Sequence, residues 1–256
     1  GNISPAQSDY TQMVHGGGHG DYHVIVLAPS TVQESVDLTV LAFDLAEKYR
    51  SIVAILTDGS IGQMMEPCEL PPIQPLKTSL PAWAATGAAG RERNVLSSIY
   101  LNVNDEEKAN LRWMRKWQEV EANEVRFKEY YTEDAKFLVV GFGSAGRVAL
   151  SAVRAARAEG IPVGLLRPIT LAPFPQKKLE ELAKRMQGIL VVEMNGGQML
   201  DDVRLLIGGR TPIEFFARLG GVMPLPDEVL DEIKRLAKGP LTTEGDPRTR
   251  WLARMP

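Results

Sequence analysis

Histidines and carboxylates cluster near the start of the chain, where they could bind a metal ion or transfer protons. His15, His19 and His23 are the only histidines and fall within nine residues. Their spacing of four would place them on one face of a helix as metal ligands. However, four glycines between His15 and Asp21 oppose a helix. The alternative is a loop that packs close to a ligand or another subunit, with Asp9, His19 and Asp21 as polar contacts.

A glycine-rich turn, Gly141 to Gly146, has the spacing of a dinucleotide-binding fingerprint. It lies between a predicted strand and a predicted helix, where backbone N–H groups can bind phosphate. The acidic residue expected about 20 residues later is missing, and Arg167 lies there instead, as would suit a 2′-phosphate. Two interpretations stay open: an NAD(P)-dependent Rossmann-type oxidoreductase, or a tight turn that binds no nucleotide.

Two further polar sites have both a functional and a structural interpretation. Asp58 follows a predicted buried strand, where parallel sheets bind ligands, yet Asp-Gly also forms turns and helix caps. The run from Glu193 to Met199 suits an interface or ligand edge, or a helix cap by Asn195. Cys68 is the only cysteine, so it cannot form an internal disulfide or hold an iron–sulfur cluster without partners.

The predicted elements that position these residues form two α/β blocks. The first consists of a strand at 22–28, a helix at 31–49 and a strand at 52–56, which is one parallel βαβ unit. Since an open parallel sheet usually has more strands, we expect the others to precede Gly1. A proline-rich linker is predicted at 66–90, and a charged helix from 104 to about 131.

The second block starts at residue 136 and alternates strands with helices. Residues 168–175 are predicted to be a loop, 213–216 an edge strand, and the tail from Lys238 a segment that is loose or wraps a neighbour. The predicted strands are 137–140, 160–166 and 188–193, and the predicted helices are 147–159, 176–186, 199–206 and 226–237.

Composition excludes several classes of protein. The 256 residues are 44% hydrophobic, enough for a sizeable core. Lys plus Arg number 29 against 32 Asp plus Glu, so a net charge of −3 argues against a general nucleic-acid binder. The sequence has neither an apolar run long enough to span a membrane nor the pattern of a signal peptide. A cytoplasmic protein is therefore expected.

An ordered set of motifs in both blocks resembles the alpha subunit of 2-oxoacid:ferredoxin oxidoreductases, of the branched-chain 2-oxoisovalerate or the 2-oxoglutarate type. Any single motif is common, whereas the ordered set is specific. The chain is similar to the C-terminal part of that subunit. The motifs are residues 1–9, 16–21, 26–34, 139–147, 164–175 and 191–199.

The resemblance implies a thiamine-diphosphate enzyme that decarboxylates a 2-oxoacid, reduces ferredoxin and forms an acyl-CoA. It implies an incomplete pyrimidine-type thiamine-diphosphate-binding domain at 1–80, a linker arm and connecting helix at 81–134, and a transketolase C-terminal-like domain at 135–256. The expected fold is thus α/β, with two parallel-sheet domains.

The resemblance also implies a division of labour among subunits. The beta subunit would hold the diphosphate with Mg²⁺, and partner subunits, including a small ferredoxin-like gamma subunit, would hold the iron–sulfur clusters. This chain alone would bind no cofactor or metal and would be inactive, and the assembly would be a dimer of heteromers. A non-catalytic module for subunit interaction is a further interpretation.

The residues expected to do catalysis precede Gly1. In the family, the substrate motif, the glutamate that activates the aminopyrimidine and a substrate-binding arginine all come before the region similar to Gly1 and Asn2. On this chain, the residues predicted to line the mouth of the active site are Asn2, Gln7, Asp9 and His19.

Overall fold

The computed structural model describes residues 1–73, 75 and 79–255 and has α/β architecture with two β-sheets. The first part of the chain forms α1 (Tyr10–Val14), β1 (Ile25–Leu27), α2 (Val32–Tyr49), β2 (Val53–Ile55), α3 (Gly59–Gln63) and α4 (Val103–Asn123). The second part forms β3 (Phe127–Tyr130), β4 (Phe137–Val140), α5 (Gly143–Ala158), β5 (Val163–Pro168), β6 (Thr170–Ala172), α6 (Gln176–Ala183), β7 (Gly188–Glu193), α7 (Gln198–Ile207), β8 (Ile213–Ala217), α8 (Pro226–Lys238) and α9 (Pro247–Leu252).

The smaller sheet has the order β2-β1-β6 and contains the predicted βαβ unit. β1 and β2 are parallel, while β6 joins the other edge of β1 in the antiparallel direction. The prediction of a loop at 168–175 was therefore wrong. The prolines of that stretch suggested a loop, but its three buried residues from Thr170 to Ala172 supply the strand that covers β1.

The larger sheet has the order β3-β5-β4-β7-β8. Four of its strands are parallel, and β3 pairs with β5 in the antiparallel direction. Every residue of β4, β5, β7 and β8 is buried, as expected for the apolar runs of a parallel sheet covered on both faces. The predicted edge strand at 213–216 is confirmed as β8.

The connecting helix is shorter than predicted because residues after Asn123 turn to form β3. Glu124 ends the helix and is only 3% exposed. Its carboxylate accepts hydrogen bonds from the Tyr49 hydroxyl (2.6 Å), Lys48 Nζ (2.7 Å) and Arg126 Nη2 (2.8 Å). This buried group of ionic contacts fixes the point at which the chain leaves the helix.

The tail is also more ordered than predicted. Asp246 caps α9 by accepting a hydrogen bond from the Arg248 amide, and Trp251 is 5% exposed. The Trp251 ring meets Phe215 of β8 edge-on at 5.3 Å. This buried aromatic side chain and the ion pair between Arg250 Nε and Glu214 Oε1 (3.0 Å) anchor a segment whose composition is typical of a loop.

One apolar cluster contains residues of both predicted blocks. Tyr10, Val26 and Ala28 belong to the same core as the central strands of the larger sheet. The domain boundaries at 80 and 134 stay predictions. Among the described residues, no helix is both long and apolar enough to cross a membrane.

Candidate functional site

Polar residues meet where β2, β4 and β7 end at their carboxyl termini. Asp58 follows β2, the glycine-rich turn follows β4, and Asn195 follows β7. In sheets of this kind, ligands bind at the carboxyl ends of parallel strands. The segment preceding α1 contacts these strand ends through Gln7, which bonds to Phe142 and Met194, so the first predicted motif and the two turns come together.

Gln7 is buried, with 5% of its surface exposed, and makes four hydrogen bonds through its side chain and backbone. Its Nε2 donates to the carbonyl of Phe142 (2.9 Å), and its Oε1 accepts from the amide of Met194 (3.1 Å). Its own amide donates to the Met194 carbonyl (3.1 Å), and its carbonyl accepts from Asn195 Nδ2 (2.9 Å). Gln7 therefore joins the ends of β4 and β7.

The Asp58 carboxylate occupies the place at the glycine-rich turn where a phosphate group would bind. The carboxylate is 5% exposed and accepts from the amides of Ser60 (3.0 Å) and Ile61 (3.3 Å), so it caps α3. It also accepts from Ser144 Oγ (2.8 Å) and the Ser144 amide (3.4 Å) in the first turn of α5. A helix N-terminus favours a negative charge, and here a carboxylate of the same chain supplies it.

The glycines of this turn are explained by packing. Gly143 has φ +52°, and a Cβ there would lie 2.8 Å from Gln7 Nε2. At Gly146, a Cβ would lie 2.6 Å from the carbonyl oxygen of Gly141. The turn thus has the strand–helix context of the fingerprint, but its glycines allow close packing against Gln7 and neighbouring backbone.

Arg167, the candidate ligand for a 2′-phosphate, is committed to an internal ion pair. It is 2% exposed, and its Nη2 lies 2.5 Å from Glu34 Oε1. Burial opposes ionisation of Glu34, but Arg167, Lys128 and the Ser30 amide outweigh it and lower the pKa of Glu34 to about 2. The pair joins α2 to β5.

The other predicted site residues do not form one compact cluster. Asp9 and Gln7 line a small cavity with Thr57, Asp58 and Gly143. Asn2 is exposed, and its Nδ2 donates to the carbonyl of Gly220 (2.7 Å) beyond β8. His19 is exposed on the glycine-rich loop between α1 and β1. The structure thus brings Gln7 and Asp9 together, while Asn2 and His19 lie on separate loops.

The three histidines have different environments, which disfavours the metal-site interpretation. His15 Nε2 lies 2.9 Å from Asp202 Oδ1, and the His23 ring stacks on Trp117 at 4.5 Å. In the part of the chain that the structure describes, no group of three or more His, Cys, Asp or Glu could hold a metal ion. Cys68 is exposed and free.

Sequence reasoning missed a buried hydrogen-bonded group next to Gln7. The Tyr10 hydroxyl donates to Asp202 Oδ2 (2.6 Å), and burial together with Asp202 raises the pKa of Tyr10 well above its usual value. Tyr10 also packs against Phe142. The sequence carried no signal for this pair, since Tyr10 and Asp202 are 192 residues apart.

Glu193 is a fully buried carboxyl group at the end of β7. It accepts from the amides of Met199 and Leu200 (2.9 Å each) at the start of α7. Burial raises the pKa of Glu193 to about 7, although these amides, Asn195 and Arg248 act in the opposite direction. Asn195 Oδ1 accepts from the amides of Gly197 and Gln198 where α7 begins, although the N-cap position of the helix is Gly197.

Two sequence families match the chain in succession. Residues 1–131 match the thiamine-diphosphate-binding domain of pyruvate flavodoxin/ferredoxin oxidoreductases, and residues 135–229 match core domain II of pyruvate:ferredoxin oxidoreductase. The chain belongs to the family of pyruvate and related 2-oxoacid:ferredoxin oxidoreductases. The resemblance stated from the ordered motifs is thereby confirmed.

Curated relatives within this family are named as subunits. The chain is 46% identical to ketoisovalerate oxidoreductase subunit VorB of Methanothermobacter thermautotrophicus, over 93% of this chain and 67% of that protein. It is 33% identical to 2-oxoglutarate synthase subunit KorA of Methanothermobacter marburgensis, over 89% of this chain and 68% of that protein. The chain thus spans about two thirds of the length of these relatives.

A solved structure in the same family has the same fold. The 2-oxoglutarate:ferredoxin oxidoreductase from Magnetococcus marinus, solved with 2-oxoglutarate, coenzyme A and succinyl-CoA, matches with a TM-score of 0.74 at 21% identity. The match covers 92% of this chain and 46% of the other. The α/β architecture with parallel sheets is therefore confirmed.

The family implies thiamine diphosphate, and the described residues do not build a complete site for it. The helix N-terminus that could bind phosphate, at α5, already holds the Asp58 carboxylate. The residues that could hold a divalent cation beside a diphosphate do not form a cluster in the described ranges.

Proposed function

We propose that this chain is part of the alpha subunit of a thiamine-diphosphate-dependent 2-oxoacid:ferredoxin oxidoreductase. The reaction would be oxidative decarboxylation of a 2-oxoacid such as 2-oxoisovalerate, with formation of an acyl-CoA and reduction of ferredoxin. The observation that carries the proposal is 46% identity to a ketoisovalerate oxidoreductase subunit over nearly the whole chain. The hydrogen bonds from Gln7 to Phe142 and Met194 add support, because they join three of the motifs.

In this proposal the chain contributes one wall of the active site and is inactive alone. Asn2, Asp9 and His19 are exposed and would line the mouth of the site. Gln7 is buried and would hold that wall in place. The residues that do the chemistry would lie outside residues 1–256, and no residue of this chain is assigned a catalytic role.

The cofactors would be shared with partner subunits. A beta subunit would bind the diphosphate and Mg²⁺, ferredoxin-like or gamma subunits would carry the iron–sulfur clusters, and the assembly would be a cytoplasmic dimer of heteromers. Large exposed apolar side chains support the proposal of contacts between subunits. Met65, Leu70, Val95 and Leu101 are each at least 75% exposed. Side chains of this kind are typical of interfaces.

A nicotinamide-dependent oxidoreductase is not favoured. Its phosphate would have to displace Asp58 from α5, and Arg167 would have to leave Glu34 to reach a 2′-phosphate. Both groups are almost fully buried. Glu34 would then lose its buried partner and be left with the half-exposed Lys128 (2.7 Å), and separating a buried ion pair is costly.

The test is an activity assay of the assembled enzyme. The subunit is co-expressed with its partner subunits, and reduction of a viologen dye is followed with CoA and 2-oxoisovalerate or 2-oxoglutarate. We expect activity that requires the 2-oxoacid, CoA and this subunit together. An assembly that contains its cofactors but oxidises none of several 2-oxoacids would refute the proposal, and calorimetry with NADH and NADPH tests the alternative.

A further inference from the structure

Three polar side chains at and just before the start of helix α7 contact the segment around α1. Asn195 precedes the helix, Gln198 begins it and Asp202 follows one turn later. The spacing of four residues places Gln198 and Asp202 on one face of the helix. We call these three residues the α7 stripe.

Gln198 binds the backbone on both sides of Asp9. Its Oε1 accepts from the amide of Thr11 (2.7 Å), and its Nε2 donates to the carbonyl of Ser8 (2.8 Å). An amide side chain can donate and accept at the same time, which a carboxylate or an ammonium group cannot. The contact is therefore specific for Gln and independent of the side chains at 8 and 11.

The other two members of the stripe extend the contact on either side. Asn195 Nδ2 donates to the carbonyl of Gln7 (2.9 Å). Asp202 accepts from the Tyr10 hydroxyl (2.6 Å) and pairs with His15 Nε2 (2.9 Å). The stripe thus holds the chain from residue 7 to residue 15.

The stripe is itself held rigidly before it makes these contacts. Glu193 accepts from the amides of Met199 and Leu200, and Asn195 accepts from those of Gly197 and Gln198. All four amides at the start of α7 are therefore bound. Asn195 lies two residues after the buried strand β7. The position of the stripe is therefore fixed relative to the larger sheet.

We propose that the α7 stripe is a positioning device for the proposed active-site wall, an inference that rests on the proposed function. Asp9 lies between two backbone groups bound by Gln198, and His19 lies on the glycine-rich loop that follows His15. The stripe fixes Asp9 against the larger sheet, and it fixes the point at His15 from which the loop with His19 starts. Gln198 and Asp202 are positioning residues, which act on the reaction through the segment that they hold.

The experiment compares Gln198→Ala with Gln176→Ala in the subunit assembled with its partners. Gln176 is a matched control, because among the described residues its side chain bonds only to Glu180 of its own helix. Gln198→Glu is an intermediate variant, which keeps an acceptor for the Thr11 amide and loses the donor to Ser8. Amide hydrogen exchange of residues 7–15, the unfolding midpoint, and kcat and KM for the 2-oxoacid are measured.

We expect Gln198→Ala to speed exchange of the Thr11 amide about tenfold and to lower kcat/KM by a similar factor, with an unfolding midpoint close to that of the control. Gln198→Glu should keep the Thr11 amide protected and lower kcat/KM less. An unchanged exchange rate of the Thr11 amide in Gln198→Ala would show that Gln198 does not hold this segment, and it would overturn the proposal. Faster exchange with unchanged kcat/KM would overturn the positioning role and leave only a structural one.

The two proposals fail in distinguishable ways. If the wild-type assembly oxidises no 2-oxoacid, the proposed function fails and the positioning role fails with it. The exchange measurement then still decides whether the α7 stripe holds residues 7–15. If the wild type is active, only the kinetics of the Gln198 variants decide the positioning role.

Discussion

The buried carboxyl group of Glu193 should make the stability of this chain fall as pH rises from about 5 to 8. Its pKa is about 7 in the folded chain, against 4.5 for an ordinary glutamate. A group whose pKa is higher when folded binds its proton more tightly in the folded state, so its stabilising effect is present below pH 4.5 and is lost as pH rises through 7. The perturbation we propose is Glu193→Gln, which cannot ionise.

The size of the effect follows from the difference between the two pKa values. About 2.5 pH units at 1.36 kcal/mol per unit give about 3 kcal/mol of unfolding free energy lost by the wild type. Glu34 and Glu124 act in the opposite direction, since ion pairing outweighs burial and lowers the pKa of each to about 2. Their stabilising effect is lost only as pH falls below about 4.5, outside the range to be measured.

The assay is urea unfolding at several pH values between 5 and 8, for the wild type and Glu193→Gln. Glu193→Gln loses one of the two hydrogen bonds that the carboxylate accepts from backbone amides, so its absolute free energy of unfolding is not compared with that of the wild type. The quantity compared is the slope of the unfolding free energy against pH. Glu107→Gln, at an exposed position on α4, is the control and should keep the wild-type slope. Equal slopes for the wild type and Glu193→Gln would refute the reasoning, because all other titrating groups are common to both proteins.

Four other substitutions and one double variant test contacts that hold the fold together, each by the free energy of unfolding in urea. Asp58→Asn should cost about 1–2 kcal/mol, because the α5 N-terminus loses its carboxylate, and Ser144→Ala should cost less. Glu34→Gln should cost about 3–5 kcal/mol by leaving Arg167 buried without its counter-charge, and adding Arg167→Met should recover part of this. Trp251→Ala should cost about 3–5 kcal/mol and release the tail to proteolysis. Losses below about 0.5 kcal/mol would contradict the corresponding contacts.

The sequence alone determined the local elements and the family. Continuous apolar runs such as 137–140 and 188–193 predicted buried parallel strands, because a strand covered on both faces has no polar side. The order of the motifs predicted the family, and the strand–turn–helix context of the Gly141–Gly146 turn was also correct. These features depend on residues that are close together in the sequence, so the sequence pattern is enough to predict them.

The candidate site was only partly predictable. Asn2, Gln7, Asp9 and His19 were named from motif resemblance, and Gln7 and Asp9 do line one cavity. The buried role of Gln7 was invisible, because it depends on Phe142, which is 135 residues away in the sequence. The sequence does not distinguish a glutamine that is exposed at a site from one that is buried beside the site and hydrogen-bonded to distant backbone groups.

Only the tertiary structure decided which groups share a space. It placed Asp58 against Ser144 across 86 residues, so a turn with the spacing of a nucleotide fingerprint holds a carboxylate of its own chain. It set Gln198 against Thr11 across 187 residues, and it paired residues 170–172 with β1 rather than leaving them as a loop. Hydrogen-bonding capacity belongs to each residue type, but the partner is chosen by packing, since a buried polar group must find one wherever the fold brings it.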